Sequence, residues 1–123
     1  MLRILQLNLN KSLIAQSAFI NSFSTSDFDI ILLQESYLDP RTSLTRATSH
    51  WIVVYPHTHY TEASGRTRSV IFISKRISGE TWSQIKVDSP DITAISLRTA
   101  SGPLHIFNIY NDQRHQDSIN LLA

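Results

Sequence analysis

Asp29-Ile30-Ile31-Leu32-Leu33-Gln34-Glu35 is the stretch whose reading decides the fold. Four consecutive apolar residues, two of them β-branched, suit a strand buried on both faces, and that strand ends in a carboxylate. Upstream, Leu5-Gln6-Leu7-Asn8-Leu9-Asn10 alternates, with Leu5, Leu7 and Leu9 on one face and Gln6 and Asn8 on the other, the pattern of a half-buried strand. Laid side by side, the two strands bring Asn8 and Glu35 to one sheet end. A hard divalent cation is commonly held in this way, by one or two protein oxygens, with water and substrate phosphate completing the shell. The pair points to magnesium-assisted phosphoester chemistry.

The remainder of the chain bounds that reading. A length of 123 residues fits one compact domain, and 41% hydrophobic with 17% charged residues describes a globular chain with a sizeable core. A net charge of +1 is no bulk signature of a nucleic-acid binder, so any basic surface is local. Cysteine is absent, which removes disulfides, thiolate zinc sites and thiol nucleophiles together. No stretch approaches the ~20 apolar residues of a membrane span, and Gln6, Asn8 and Asn10 interrupt the apolar start. A soluble, intracellular protein is expected.

Between the two decisive strands, Ser12 to Phe23 predicts an amphipathic helix with Ala15, Phe19 and Phe23 as its stripe, Gln16 interrupting it and Asn10 as a capping residue. Residues 36 to 48 read as loop. Strands are predicted at Trp51–Tyr55, Ser69–Ser74, more weakly at 81–87, and at 92–99 and 104–110, the last two joined by a hairpin at Ala100-Ser101-Gly102-Pro103. Residues 56–67, around Gly65, read as an exposed loop, and the tail from Gln113 to Ala123 is helix-compatible. The runs Ile30–Leu33, Val70–Ile73 and Leu104–Tyr110 are apolar on both faces. Helices cover one side of such a sheet and a second sheet is the natural cover for the other, yet the expected inventory does not supply one. A broad exposed apolar sheet face, favouring self-association, follows as an expectation.

Four segments then occur in a familiar order: Leu5-Gln6-Leu7-Asn8-Leu9-Asn10-Lys11-Ser12 with Ala15, Asp29 to Glu35, Arg68-Ser69-Val70-Ile71-Phe72-Ile73-Ser74-Lys75, and Phe107-Asn108-Ile109-Tyr110-Asn111-Asp112. Together they resemble the endonuclease/exonuclease/phosphatase superfamily, and most of all the endonuclease domain of non-long-terminal-repeat retrotransposons. The resemblance implies an α+β fold, the amino-terminal half of a four-layer α/β-sandwich with mostly antiparallel sheet and helices on one face. It implies that Glu35 binds Mg2+, with Mn2+ as an alternative, that Asn8 supports the metal and the scissile phosphate, and that the Tyr110 hydroxyl approaches that phosphate. Asn10 stands where some members carry Asp, so a ligand charge is lost, although the amide can still accept a metal-bound water. DNA as partner and a nuclear location are implied in the same way.

The family's later Asp-x-Asn, Asp and Asp-His motifs have no match in these residues, so the resemblance implies a partial domain over 1–123, which binds Mg2+ weakly and nicks DNA little or not at all. A non-catalytic remnant that binds nucleic acid or protein is the alternative. Arg66 and Arg68 flank the start of a strand and are candidate phosphate contacts, with Arg41 and Arg46 behind them. All four also read as solvated loop charges. His57 and His59 lack a third ligand and read as exposed loop residues, His105 reads as packed within a strand, and His115 lacks the Asp neighbour of a catalytic His. Trp51 and Trp82 read as core or edge packing rather than base-stacking platforms. No Ser-His-Asp order, phosphate-binding loop or dinucleotide fingerprint is present.

Overall fold

The computed structural model describes residues 2–22, 27–59 and 67–111. Phe23, Gly65, Arg66 and the tail with Gln113 and His115 lie outside the described residues. The first strand, β1 (Ile4–Asn8), leads through a helix, α1 (Leu13–Ser22), into β2 (Ile30–Gln34), and β3 (Trp51–Val54) and β4 (Ser69–Ser74) complete a sheet in the order β1-β2-β4-β3. β1 runs parallel to β2; the other pairs are antiparallel. β5 (Trp82–Ile85), β6 (Ile92–Thr99) and β7 (Gly102–Ile109) form a second, antiparallel sheet.

That second sheet corrects the expectation that the chain lacks one. Its strands fall where strands are predicted, β5 being the weak one with polar Ser83 and Gln84, and the expected β6–β7 hairpin pairs over its full length from Ile92↔Ile109 to Thr99↔Gly102; what the sequence does not show is that the three join into one sheet. The first sheet is therefore covered on both faces. Ile30, Leu32, Ile71 and Ile73 pack with Ile95, Leu97 and Ile106 of the second sheet, while Ile31, Leu33, Val70 and Phe72 pack with Phe19 of α1. This is why β2 and β4 read as unbroken apolar runs: each contributes alternate residues to two cores. Removing one such fully buried side chain from water contributes roughly 1.5–3 kcal/mol. Trp51 belongs to the helix-side core, tilted against Phe72 at 6.1 Å between ring centroids, and Trp82 packs against the core between the sheets.

β7, by contrast, is not apolar on both faces. Ile106 and Asn108 point inward and are buried, whereas His105 and Phe107 are exposed. His105, expected to be packed, therefore faces solvent on the outer side of the sheet.

α1 begins one residue later than expected and is capped by Ser12, whose Oγ accepts the Ala15 amide at 3.0 Å. Asn10 does not cap it. Asn10 and Lys11 instead adopt left-handed backbone (φ 51° and 60°) that turns the chain out of β1, a conformation asparagine tolerates better than most residues. The helix stripe also differs: Ala15 is exposed and Gln16 is fully buried. Its Nε2 donates to Thr45 Oγ1 (2.6 Å) and the Arg46 carbonyl (2.7 Å), and its Oε1 accepts the Tyr37 amide (2.7 Å). A polar residue on the buried face is tolerated because every one of these partners belongs to the 37–46 segment, which Gln16 fastens to the helix.

Candidate active site

Parallel register between β1 and β2 pairs Asn8 with Gln34, so the side chains of both leave the sheet on the same side. Gln34 reaches across to the second sheet, its Nε2 donating to the Ile109 carbonyl at 2.7 Å. Asn8 thus stands on the face toward β7, exposed, with its Oδ1 accepting the Asn10 amide at 2.9 Å. One residue beyond Gln34, the backbone of Glu35 turns left-handed (φ 51°) and breaks the strand alternation. Hydrogen bonds hold it there on two sides: Glu35 N donates to the Arg68 carbonyl (2.8 Å), and Lys11 N donates to the Glu35 carbonyl (2.7 Å). The Glu35 side chain is half-buried and, among the described residues, its carboxylate has neither an ion pair nor a hydrogen bond. A left-handed, non-glycine residue with an unused charge costs stability and commonly marks function.

Tyr110 arrives from the other sheet. It directly follows β7, and its amide donates to the Asp91 carbonyl at 2.8 Å. Its ring lies over the Arg68 guanidinium, 4.6 Å from carbon to centroid. Arg68 in turn is gripped by Asp91 in a fork, Nε to Oδ1 and Nη2 to Oδ2, both 2.8 Å. The structure therefore gathers Asn8, Asn10, Glu35, Arg68 and Tyr110 at one end of the sandwich, on the ends of β1, β2 and β7 and the start of β4. Arg41 and Arg46 are exposed in the loop that follows β2, Arg41 beside Asp39 at 3.8 Å.

Beneath this end runs a buried polar seam that the sequence did not flag. Asn108 Nδ2 donates to the Leu33 and Val70 carbonyls (2.8 and 2.9 Å), Ser69 Oγ to the Asn108 carbonyl (2.6 Å), and Thr93 Oγ1 to the Ser69 carbonyl (2.7 Å). These bonds lock β2, β4, β6 and β7 in one register just under the candidate residues, which is the rigid support a site needs. The signal is present in the sequence as Asn108 between the apolar Phe107 and Ile109, a carboxamide whose nitrogen has to find partners where it is buried.

The two loop histidines separate. His57 is exposed, but His59 is buried, its ring stacked on Tyr55 at 4.3 Å and its Nδ1 2.6 Å from Thr67 Oγ1, correcting the expectation of an exposed loop residue. Burial pushes the His59 imidazole below its usual range, against the opposing hydrogen bond with the Ser43 backbone. The pair does not share a face, and among the described residues no three His, Asp or Glu gather. The donors at the Asn8–Glu35 end are hard oxygens, one carboxylate with neighbouring carboxamides.

The fold is similar to that of the endonuclease domain of TRAS1, a telomere-specific non-LTR retrotransposon, with a TM-score of 0.70 and 17% sequence identity over 98% of this chain and 52% of that one. This chain thus spans about half the length of that structure, and at such identity the likeness is one of fold. No family profile and no characterised protein matches it by sequence. No helix among the described residues is long and apolar enough to cross a membrane.

Proposed function

We propose that this chain carries the metal- and phosphate-holding part of a Mg2+-dependent DNA endonuclease, with the residue that activates water supplied from elsewhere. The observation that carries this reading is the half-buried Glu35 carboxylate, without a partner among the described residues and held on left-handed backbone at a strand end beside Asn8, whose own face turns toward the strand that delivers Tyr110. Hard oxygens in small number suit Mg2+ or Mn2+, whose remaining positions go to water and phosphate. A cation held there by Glu35 with Asn8 would supply stabilisation of negative charge on the phosphate and the leaving oxygen.

The chain's own residues do the rest. Glu35 supplies the charge, and Asn8 offers a carboxamide within the same strand-end cluster. The Tyr110 hydroxyl donates a hydrogen bond to a phosphate oxygen and orients it. Asn10, exposed next to Asn8, meets the water shell or the DNA backbone, and Arg66, which lies outside the described residues, is a DNA-phosphate contact by sequence alone. A general base must take a proton from the attacking water. Among the described residues, Asp91, whose main-chain carbonyl accepts the Tyr110 amide, has its carboxylate already committed to Arg68. The chain by itself is therefore expected to bind the cation weakly and to leave DNA intact.

Mn2+ titration followed by electron paramagnetic resonance tests this, together with a supercoiled-plasmid assay in Mg2+. The expected result is weak Mn2+ binding that Glu35→Ala abolishes, without nicking. Mn2+ binding indifferent to Glu35→Ala overturns the metal reading and favours a non-catalytic binding module. Nicking by the wild type that Glu35→Ala removes shows instead that the base lies within these residues.

A further inference from the structure

Arg68 is read from the sequence as a phosphate contact, yet its surroundings assign it different work. The Arg68 side chain is only 21% exposed and that of Asp91 only 9%, and the fork between them uses Nε and Nη2 at 2.8 Å each. A planar fork held by two hydrogen bonds cannot swing toward a ligand without breaking both. Its flat face, meanwhile, lies 4.6 Å from the Tyr110 centroid, within the range where a cation is attracted to a ring. The same residue's main-chain carbonyl accepts the Glu35 amide at 2.8 Å, and its amide donates to the Pro90 carbonyl at 3.2 Å. Arg68 therefore touches both candidate groups, Glu35 through its backbone and Tyr110 through its side chain, while Asp91 binds its fork and also accepts the Tyr110 amide.

We propose that Arg68 is the positioning residue that sets the Tyr110 phenol relative to the Glu35 carboxylate, with Asp91 holding the guanidinium flat under the ring. The inference rests on the metal and phosphate reading of Glu35 and Tyr110, but the contact it invokes exists without metal. Asp91 buries an ion pair here and the pair supports an aromatic ring; a pair meant only to hold strands together needs no ring above it. Lysine at this position keeps the charge but loses both the fork and the flat face, so it does not reproduce the arrangement.

Nuclear magnetic resonance on the full chain with labelled tyrosine tests the proposal. In metal-free protein, Arg68→Gln and Asp91→Asn are each expected to move the Tyr110 ring resonances, with the amides around Asp29 at the far end unchanged. With Mn2+ added, the wild type is expected to show broadening of the Glu35 amide and of the Tyr110 ring together. Both variants are expected to keep the first and lose the second, and Arg68→Lys is expected to behave like Arg68→Gln. Tyr110 resonances that stay in place in both metal-free variants overturn the proposal, as does Tyr110 broadening that persists in them. Absence of local broadening in the wild type overturns the metal reading instead, and the metal-free shifts then still decide the role of Arg68. If Arg68→Gln does not fold, Asp91→Asn and the Arg68 Hε resonance in Tyr110→Leu, expected to move as the ring is lost, give the same decision.

Discussion

Where β1 and β2 begin, Asp29 accepts the Arg3 amide at 2.8 Å and meets the guanidinium groups of Arg3 (3.4 Å) and Arg76 (3.2 Å), whose side chains are 40% and 53% exposed. Where the same strands finish, Asp91 grips Arg68 at 2.8 Å twice behind side chains 9% and 21% exposed, and Glu35 stands beside them without a partner among the described residues. One end answers its carboxylate with two cations near solvent. The other shuts its ion pair away under a ring and leaves a second carboxylate unanswered. A fold optimising strand ends for stability alone would treat both alike; the second end instead keeps, among the described residues, a carboxylate without a partner beside a buried ion pair.

The sharpest way to break the comparison is to remove the acid from each ion pair. Asp91→Ala leaves a largely buried guanidinium uncompensated and is expected to cost about 3 kcal/mol, read from urea denaturation at neutral pH. Asp29→Ala frees two cations that water can already reach and is expected to cost about 1 kcal/mol. Equal losses would mean that burial does not distinguish the two ends.

The Asp29 cost is also expected to depend on pH. Burial raises the affinity of its carboxyl for a proton, but the Arg3 amide and the Arg3 and Arg76 side chains outweigh that and hold the group below its usual range. A carboxylate with a lowered folded-state value stabilises the protein above its unfolded value, about 3.9, and this contribution is lost as pH falls through the folded value. The gap between wild type and Asp29→Ala is therefore expected to hold from neutral pH to about pH 4 and to close below it. A gap that closed near neutral pH would point to another group.

The parts of this arrangement legible in the sequence are those fixed by near neighbours. β2 and β4 announce themselves through Ile30–Leu33 and Val70–Ile73, and Asn8 and Glu35 stand out because a polar group interrupts an apolar run at a strand end. What stayed hidden depends on partners far along the chain. Gln16 reads as a flaw in the helix stripe because its partners, Tyr37, Thr45 and Arg46, follow 21 to 30 residues later. Arg68 reads as a loop cation because Asp91 lies 23 residues on, past the whole of β4 and β5. The second sheet is hidden for the same reason: the strands at 92–99 and 104–110 are legible one by one, but they become a cover only when the backbone brings them over β2 and β4, a contact between residues far apart in the chain. His59 is buried by Tyr55 and Thr67, polar-looking neighbours whose ring and hydroxyl serve as packing.

The smallest expected effect separates backbone from side chain at Glu35. Left-handed backbone costs an ordinary residue roughly 1–2 kcal/mol, because Cβ crowds the following carbonyl, and glycine escapes the cost. Glu35→Gly is therefore expected to stabilise the chain by about 1 kcal/mol, part of the relief being offset by the greater freedom glycine gains when unfolded. Glu35→Ala keeps Cβ and is expected to leave stability within about 0.5 kcal/mol of the wild type, the ordinary range for a residue whose side chain makes no specific contact. Both variants lose the carboxylate, so both are expected to lose Mn2+ binding equally. A gain for glycine alone, with metal binding lost in both, shows that the chain accepts backbone strain at this position in order to present the acid. A loss of stability in both would show instead that the carboxylate holds the strand end, and Glu35 would then differ from Asp29 only in which partners hold it.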